Sequence, residues 1–215
     1  MRWLAFISLI FFLSCREILP VEQEEITDGY LIKGNVTNQS GTPLENVDVK
    51  LFYEMKWYSD FPSDTSDAIV TDTSKVVTIE VVTLKNIVAK KLFNGKMPLG
   101  PIPRYSWNGY YENGGSATAG YYLIRYKLDT VVLKESSVVV DGTLVARTDH
   151  DGLFIIANEY LPVGKIFDEY DNQEKYIRTL SISPTVILEL NYGAVQKVGK
   201  VNLKKNVVTK VNITM

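Results

Sequence analysis

The sequence predicts an all-β protein, and three observations support that prediction. From Tyr30 onward, runs rich in Val, Ile, Tyr and Thr recur, and several alternate apolar with polar residues as a half-buried strand does. Turn-forming pairs such as Asn94-Gly95 and Asp141-Gly142 separate these runs. No segment holds a long helical period. The predicted strands span residues 30–37, 46–54, 75–83, 86–93, 103–107, 119–128, 130–133, 137–140, 143–148, 153–157, 176–182, 185–190, 197–203 and 207–214.

The chain begins with a short apolar segment that has a charged start, MRWLAFISLIFFLSC. Arg2 precedes an apolar run from Trp3 to Leu13, and Ser14 and Cys15 follow it. This run is shorter than the roughly 20 residues that a membrane-spanning helix needs. It also ends in a small residue, as cleaved leaders do. The pattern therefore favours a cleaved export signal over a membrane span.

This leader resembles the signal peptide and lipobox of bacterial lipoproteins, with Phe12 where an aliphatic residue is more usual. The resemblance implies a signal peptide over residues 1–14 and a lipid, palmitate among its acyl chains, on Cys15. Arg16 rather than Asp follows the cysteine. In lipoproteins of enteric-type bacteria that residue does not mark inner-membrane retention, so the resemblance implies the outer membrane, facing the periplasm or the surface. An ordinary secretory signal and a retained membrane anchor are the alternatives.

The composition excludes several kinds of chemistry from the mature chain. Removing Arg2 with the leader changes 23 basic and 25 acidic residues to 22 and 25, a net charge of −3. That balance offers no basic footprint for nucleic acid. With Cys15 lipidated, no thiol remains for a disulfide, a nucleophile or a metal. The single histidine, His150, is too few for most zinc hydrolases, so we predict neither enzyme activity nor a cofactor.

Residues 16–27, REILPVEQEEIT, are polar and acidic, contain Pro20 and show no apolar period. Such a composition is typical of an extended linker. Together with Cys15 they are predicted to form a lipidated tether over residues 15–27.

Two segments that are far apart in the chain carry complementary turn chemistry. Residues 34–49 contain a strand, a tight turn at Gly41, a bend fixed by Pro43 and the start of a second strand. Residues 148–154, Thr-Asp-His-Asp-Gly-Leu-Phe, contain a strand end, an Asp/Gly turn and a return strand with Phe154 facing the core. Together they resemble the carboxypeptidase regulatory-like domain, a small prealbumin-type β-sandwich. The matched residues are Gly34, Val36, Gly41, Pro43, Leu44, Val47, Val49, Thr148, Asp149, Gly152 and Phe154.

The stretch between these segments is too long for a plain loop and has strand and turn signals of its own. It contains Tyr105-Ser-Trp-Asn-Gly109, Glu112-Asn-Gly-Gly115 and Ala119-Gly-Tyr-Tyr122. Their order and spacing resemble the Ig-like domain of the flagellar hook-capping protein, with Asn108 for the commoner Asp. The resemblance implies a sandwich and no particular activity.

The predicted architecture is therefore two β-sandwich domains, an Ig-like domain inserted in a carboxypeptidase regulatory-like, transthyretin-like sandwich. The parent sandwich is predicted over residues 28–55 and 137–215, and the inserted sandwich over residues 56–136.

Aromatic residues are the first candidates for ligand binding. By the Ig-like resemblance, Trp107 and Tyr122 are expected in the core, as aromatic residues at such positions pack inside a sandwich. Tyr110 and Tyr111 follow a turn and are harder to bury, so they are candidate ligand contacts.

Trp57 and Tyr58, with Phe61, are further candidate ligand contacts near the predicted junction of the two domains. An inter-domain wedge formed by these residues is the favoured alternative.

Two polar clusters contain groups that could form a metal site or a catalytic site, and we predict a structural role for both. Asp149-His150-Asp151-Gly152 has metal-ligating groups, but it supplies fewer oxygens than a calcium loop, and a turn explains its Asp and Gly. Asp168-Glu169-Tyr170-Asp171 has carboxylates of the type used on glycosides, but nothing in sequence sets their separation, and a solvated loop is favoured. We predict no metal site and no catalytic residue.

The function predicted from sequence is that of a non-enzymatic lipoprotein of the bacterial cell envelope, a structural, adhesive or scaffold module. Its partners are expected to be the membrane, through the lipid, and an envelope protein or polysaccharide. A carbohydrate-binding accessory lipoprotein of a polysaccharide uptake system is the first alternative. A hydrolase that uses carboxylates is the second.

Overall fold

A computed structural model describes residues 28–63, 70, 73–171 and 173–215, together with the backbone of two short strands before them. The strands are β1 (Glu17–Ile18), β2 (Val21–Glu25), β3 (Tyr30–Thr37), β4 (Asp48–Ser59), β5 (Val77–Thr83), β6 (Val88–Gly95), β7 (Gly120–Leu128), β8 (Val131–Val140), β9 (Thr143–Arg147), β10 (Leu153–Ile156), β11 (Ile166–Tyr170), β12 (Tyr176–Tyr192), β13 (Val195–Asn202) and β14 (Val207–Thr214). One 3₁₀ turn, Asn158–Tyr160, precedes β11. No α-helix occurs among the described residues, which confirms the all-β prediction. None of them belongs to a helix long and apolar enough to span a bilayer.

The strands form three sheets. The first has the order β1-β13-β12-β4-β9, and β11 pairs with the early part of β12. The second has the order β10-β3-β14-β2, in which β3 and β14 run parallel. The third, β6-β5-β7-β8, is antiparallel throughout and is made only of strands that lie between β4 and β9 in the chain.

The first two sheets share one hydrophobic core. Alternate residues of β3 and β4, including Ile32, Val36, Val49 and Leu51, have no exposed surface. They pack with Leu188 and its neighbours on β12. This period of two in burial is what a sheet with one buried face produces.

The two matched segments meet in this core. The Thr148 hydroxyl accepts a hydrogen bond from the Val47 N–H at 2.9 Å and donates one to the Leu44 carbonyl at 2.6 Å. Gly152 has φ +73°, and a Cβ there would lie 2.4 Å from the Val36 carbonyl oxygen. Only glycine meets both demands without strain. The turn at residues 148–152 therefore packs against residues 36–47, and β10, which follows it, pairs with β3.

The third sheet has its own core around Ile79, Ile124 and Trp107. Its inner face is covered by the segment between β6 and β7, where Tyr105 and Met97 also pack. The predicted strand over residues 103–107 is wrong, because this segment has no strand pairing there. Side-chain packing, rather than backbone pairing, holds it against the sheet.

Strand β7 contacts both cores because successive side chains point to opposite faces. Tyr121 packs against the first core and Tyr122 belongs to the second. The Tyr121 hydroxyl donates to the Ile166 carbonyl at 2.6 Å, and the Ser137 hydroxyl donates to the same oxygen at 3.3 Å. The third sheet is thus tied by hydrogen bonds to β11 of the first sheet.

Two pairs of predicted strands are each a single strand in the structure. Residues 130–133 and 137–140 form one strand, β8, and residues 176–182 and 185–190 form one strand, β12. Pro184 sits within a register shift between Ile182 and Val186, where a strand tolerates proline.

Two stretches within the predicted tether pair with strands of the sheets. Residues 21–25 pair with β14, and residues 17–18 pair with β13. Strand addition to a sheet edge uses backbone groups, so a polar sequence with no apolar period does not prevent it.

Candidate functional site

The wedge predicted from Trp57, Tyr58 and Phe61 is wrong. Their exposed fractions are 66%, 63% and 76%, so they do not fill a junction. Trp57 pairs with Leu180 and Ser59 with Thr179, which leaves Tyr58 as an extra residue in β4. Such a bulge re-aims side chains at the end of a strand. We call these three residues the exposed aromatic patch.

Trp107 and Tyr122 are core residues, as expected, and their rings meet edge to face at 4.8 Å between centroids. The two neighbouring tyrosines, Tyr110 and Tyr111, lie in different surroundings. Tyr110 is 45% exposed, and its carbonyl accepts a hydrogen bond from Trp107 Nε1 at 2.8 Å. Tyr111 is half-buried, packs against the second core and accepts a hydrogen bond from the Thr118 N–H. The two tyrosines line different cavities, so they do not act as one surface.

The Asp149-His150-Asp151 cluster lies on an open turn. The ligand atoms of the three exposed side chains lie within 4.8 Å of one another. However, Asp149 Oδ1 accepts hydrogen bonds from the backbone N–H groups of Asp151 and Leu153, at 3.0 and 2.8 Å. That carboxylate therefore stabilises the turn, in agreement with the structural interpretation.

A cleft at the contact between the third sheet and β11 has a volume of about 500 Å³. We call it the acidic cleft. It is lined by residues 104–107, by Ile124 and residues 137–139 of the third sheet, and by residues 167–171 and Glu174. Both polar and apolar atoms form its walls. Its volume falls in the range of small-molecule pockets, roughly 300–1,000 Å³.

Arg104 and Tyr170 connect the two sides of the acidic cleft. The Arg104 guanidinium carbon lies 3.2 Å from the centroid of the Tyr170 ring, a cation–π contact. Tyr176 meets that ring edge to face, at 5.8 Å between centroids. The Tyr170 ring is therefore held in one orientation at the cleft wall.

The acidic residues of the cleft lie on strand β11 and the turn after it, so the predicted solvated loop is wrong for most of the cluster. Asp168 Oδ1 accepts from the Ser63 N–H at 3.0 Å and lies 2.6 Å from the Thr179 hydroxyl. Glu169 pairs with Arg178 at 2.5 Å.

Asp171 completes this set, because its Oδ1 accepts from the N–H groups of Gln173 and Lys175 at 2.8 and 2.9 Å. Each of these three carboxylates thus has a structural partner. Of the residues that line the acidic cleft, only the acidic run itself stood out in the sequence as a candidate site. No sequence pattern connected the acidic run with Arg104 or Tyr105, because these two residues reach the cleft from a distant segment.

Comparison with known proteins identifies no relative. No known protein family, no curated protein and no solved structure matches this chain. Cys15 and the predicted signal peptide over residues 1–14 lie outside the described residues.

Proposed function

We propose that this chain is a non-enzymatic binding module of the bacterial cell envelope, anchored in the outer membrane by a lipid on Cys15. In this proposal the Ig-like unit is inserted in the parent sandwich, and the acidic cleft at their contact receives the ligand. The leader pattern supports the anchor. The restriction of β5–β8 to a sheet of their own supports the insertion.

The observation that carries the proposal is the acidic cleft itself. It combines ligand-sized volume with an oriented aromatic ring and several hydrogen-bonding groups. Such a mixture of apolar walls and a few polar groups is typical of binding sites. Four carboxylates, those of Asp168, Glu169, Asp171 and Glu174, outnumber the one guanidinium of Arg104. The cleft therefore favours an uncharged or positively charged ligand.

The same contacts favour binding over catalysis. General acid–base chemistry needs a carboxyl group within reach of the substrate and able to exchange a proton. Asp168, Glu169 and Asp171 instead hold β11 and its turn through the hydrogen bonds described above. His150, the only histidine, has a side chain that is 79% exposed. These placements support a module that holds a ligand without transforming it.

A carbohydrate-binding role through the exposed aromatic patch is the second candidate. Trp57, Tyr58 and Phe61 are each more than half exposed and lie within five residues of one another. Aromatic faces bind sugar rings through apolar contact and polarised C–H groups. The ligand of this second candidate is a polysaccharide, consistent with an accessory role in uptake.

A binding screen with matched variants separates the two candidates. The chain with Cys15→Ser, which cannot be lipidated, is applied to an array of envelope polysaccharides, peptidoglycan fragments and peptides. We expect a hit that Tyr170→Ala or Glu174→Gln weakens at least about tenfold. Tyr192→Ala, at an exposed tyrosine at the end of β12, is the control and leaves binding unchanged.

The outcomes have different meanings. A hit lost in the Trp57→Ala, Tyr58→Ala double variant but kept in Tyr170→Ala favours the exposed aromatic patch. If the folded protein binds nothing on the array and envelope pull-downs also recover no partner, the binding-module proposal is contradicted.

A further inference from the structure

We propose that a second cavity, distinct from the acidic cleft, binds one neutral aromatic ring. This tyrosine pocket lies where the turn between β5 and β6 approaches the 3₁₀ turn Asn158–Tyr160. Its walls include Tyr111, Tyr121, Tyr122, Tyr160, Leu84 and Ile87. The first core contributes Tyr121 and Tyr160, and the second contributes Tyr111 and Tyr122.

The size of the pocket matches a single ring. Its volume is about 160 Å³. An apolar cavity of about 150 Å³ inside a protein is large enough to bind benzene. Most of the lining surface is apolar. Tyrosine walls offer ring faces and edges, to which another aromatic ring packs in offset or edge-to-face geometry.

The charges at the rim favour a neutral ligand. Lys85 forms an ion pair with Glu159 across the pocket, from the β5–β6 turn to the 3₁₀ turn. Since each charge has its partner there, an ionic ligand would have to break the pair. The hydroxyls of Tyr121 and Tyr122 donate to the carbonyls of Ile166 and Thr118, at 2.6 and 2.8 Å. The pocket therefore presents rings rather than free polar groups.

Gly120 supports the tyrosine pocket as a binding site independently of the pocket's size and charge. It is buried, lines the pocket and is the first residue of β7. Its φ is not positive, so the backbone does not require glycine. A Cβ there would lie 3.5 Å from Tyr122 Cε2, an ordinary contact. Neither backbone nor packing explains the missing side chain. A glycine in a strand marks a bulge, a tight bend, or a close approach by a ligand or another backbone, and at Gly120 the missing side chain keeps the pocket floor open.

An NMR titration tests this site. The ¹⁵N-labelled chain with Cys15→Ser is titrated with p-cresol, a neutral phenol. We expect saturable shifts at Gly120, Tyr111 and Leu84 with a Kd in about the millimolar range. Gly120→Val fills the floor and is expected to weaken binding at least about tenfold, and Gly120→Ala less.

Gly95→Val is the matched control, since Gly95 also has an ordinary φ and its Cβ would lie 3.5 Å from an aromatic carbon, Phe93 Cζ. Gly95→Val keeps the wild-type affinity. The absence of saturable shifts overturns the proposal, and so does unchanged affinity in a folded Gly120→Val variant.

A parallel titration with N-acetyltyrosine amide identifies the source of the ring. If N-acetyltyrosine amide binds as tightly as p-cresol, the natural ring is an aromatic side chain of a partner protein. Binding of p-cresol alone indicates a free small molecule. This experiment is independent of the acidic cleft, because its readout is confined to the tyrosine pocket.

Discussion

Gly34 on β3 lies directly opposite Phe154 on β10, and the Phe154 ring occupies the space where a side chain on Gly34 would be. A Cβ on Gly34 would lie 1.9 Å from Phe154 Cε1. Phe154 is 3% exposed and packs in the first core. The two residues thus form one packing unit across the sheet.

We predict that Gly34→Ala destabilises the protein by about 1–3 kcal/mol, because the buried ring has to move. Urea unfolding followed by circular dichroism measures this. In a Phe154→Ala background the cost of Gly34→Ala falls, since the ring is gone. Gly95→Ala, at a position with ordinary contacts, is the control. Equal costs in both backgrounds would contradict the packing explanation.

Thr148 is a second test of the first core. Its buried hydroxyl connects the Val47 N–H to the Leu44 carbonyl. Thr148→Val keeps the shape but leaves both groups without that partner, so we expect a loss of about 1–3 kcal/mol in the free energy of unfolding. Thr214→Val, at an exposed position of β14, is expected to change stability by less than about 0.5 kcal/mol. Similar losses in the two variants would refute the assigned role.

The stability of the first sheet is expected to depend on pH through Glu189. Hydrogen bonds from Asn191 and Lys50, each 2.9 Å to Oε1, lower the pKa of Glu189 from its ordinary value of 4.5. A lowered pKa in the folded state means that the stabilisation is fully present above about pH 5 and is lost as pH falls through the folded-state pKa.

We therefore expect Glu189→Gln to lower Tm by about 2–4 °C at pH 7, and we expect the difference from wild type to shrink as the pH falls through the folded-state pKa. Thermal unfolding across this pH range measures the difference. A gap between the two proteins that is the same at every pH would show that the charge is not responsible.

The contact between the third sheet and β11 is tested at Tyr121. Tyr121→Phe removes the hydrogen bond to the Ile166 carbonyl but keeps the ring, so the expected loss is about 0.5–1.5 kcal/mol. Because Ser137 donates to the same oxygen, Ser137→Ala should cost more in the Tyr121→Phe background than alone. Hydrogen exchange at β11 amides should rise in the double variant. Strictly additive effects would indicate that the two hydroxyls do not share that acceptor.

The β class, most strands and the turns between them followed from the sequence by itself. Alternation in segments such as residues 30–37 and 207–214 is a local property, because every second side chain of a strand meets the core. Turn residues such as Gly152 are likewise local, since they depend on the φ of one position. The burial of Trp107 and Tyr122 was also predictable, from the motif positions that they occupy.

Only the tertiary structure decided what the surface and the cavities contain. Strand β11 was not predicted, because its pairing with β12 outweighs the polar side chains of Asp168 and Glu169. The exposure of Trp57 accompanies the bulge at Tyr58 and the end of the β9 pairing at Leu51, both of which are set by the partner strands. The acidic cleft and the tyrosine pocket each join segments far apart in the chain. Their physical basis is the docking of one sheet on another, and no local pattern of residues records that contact.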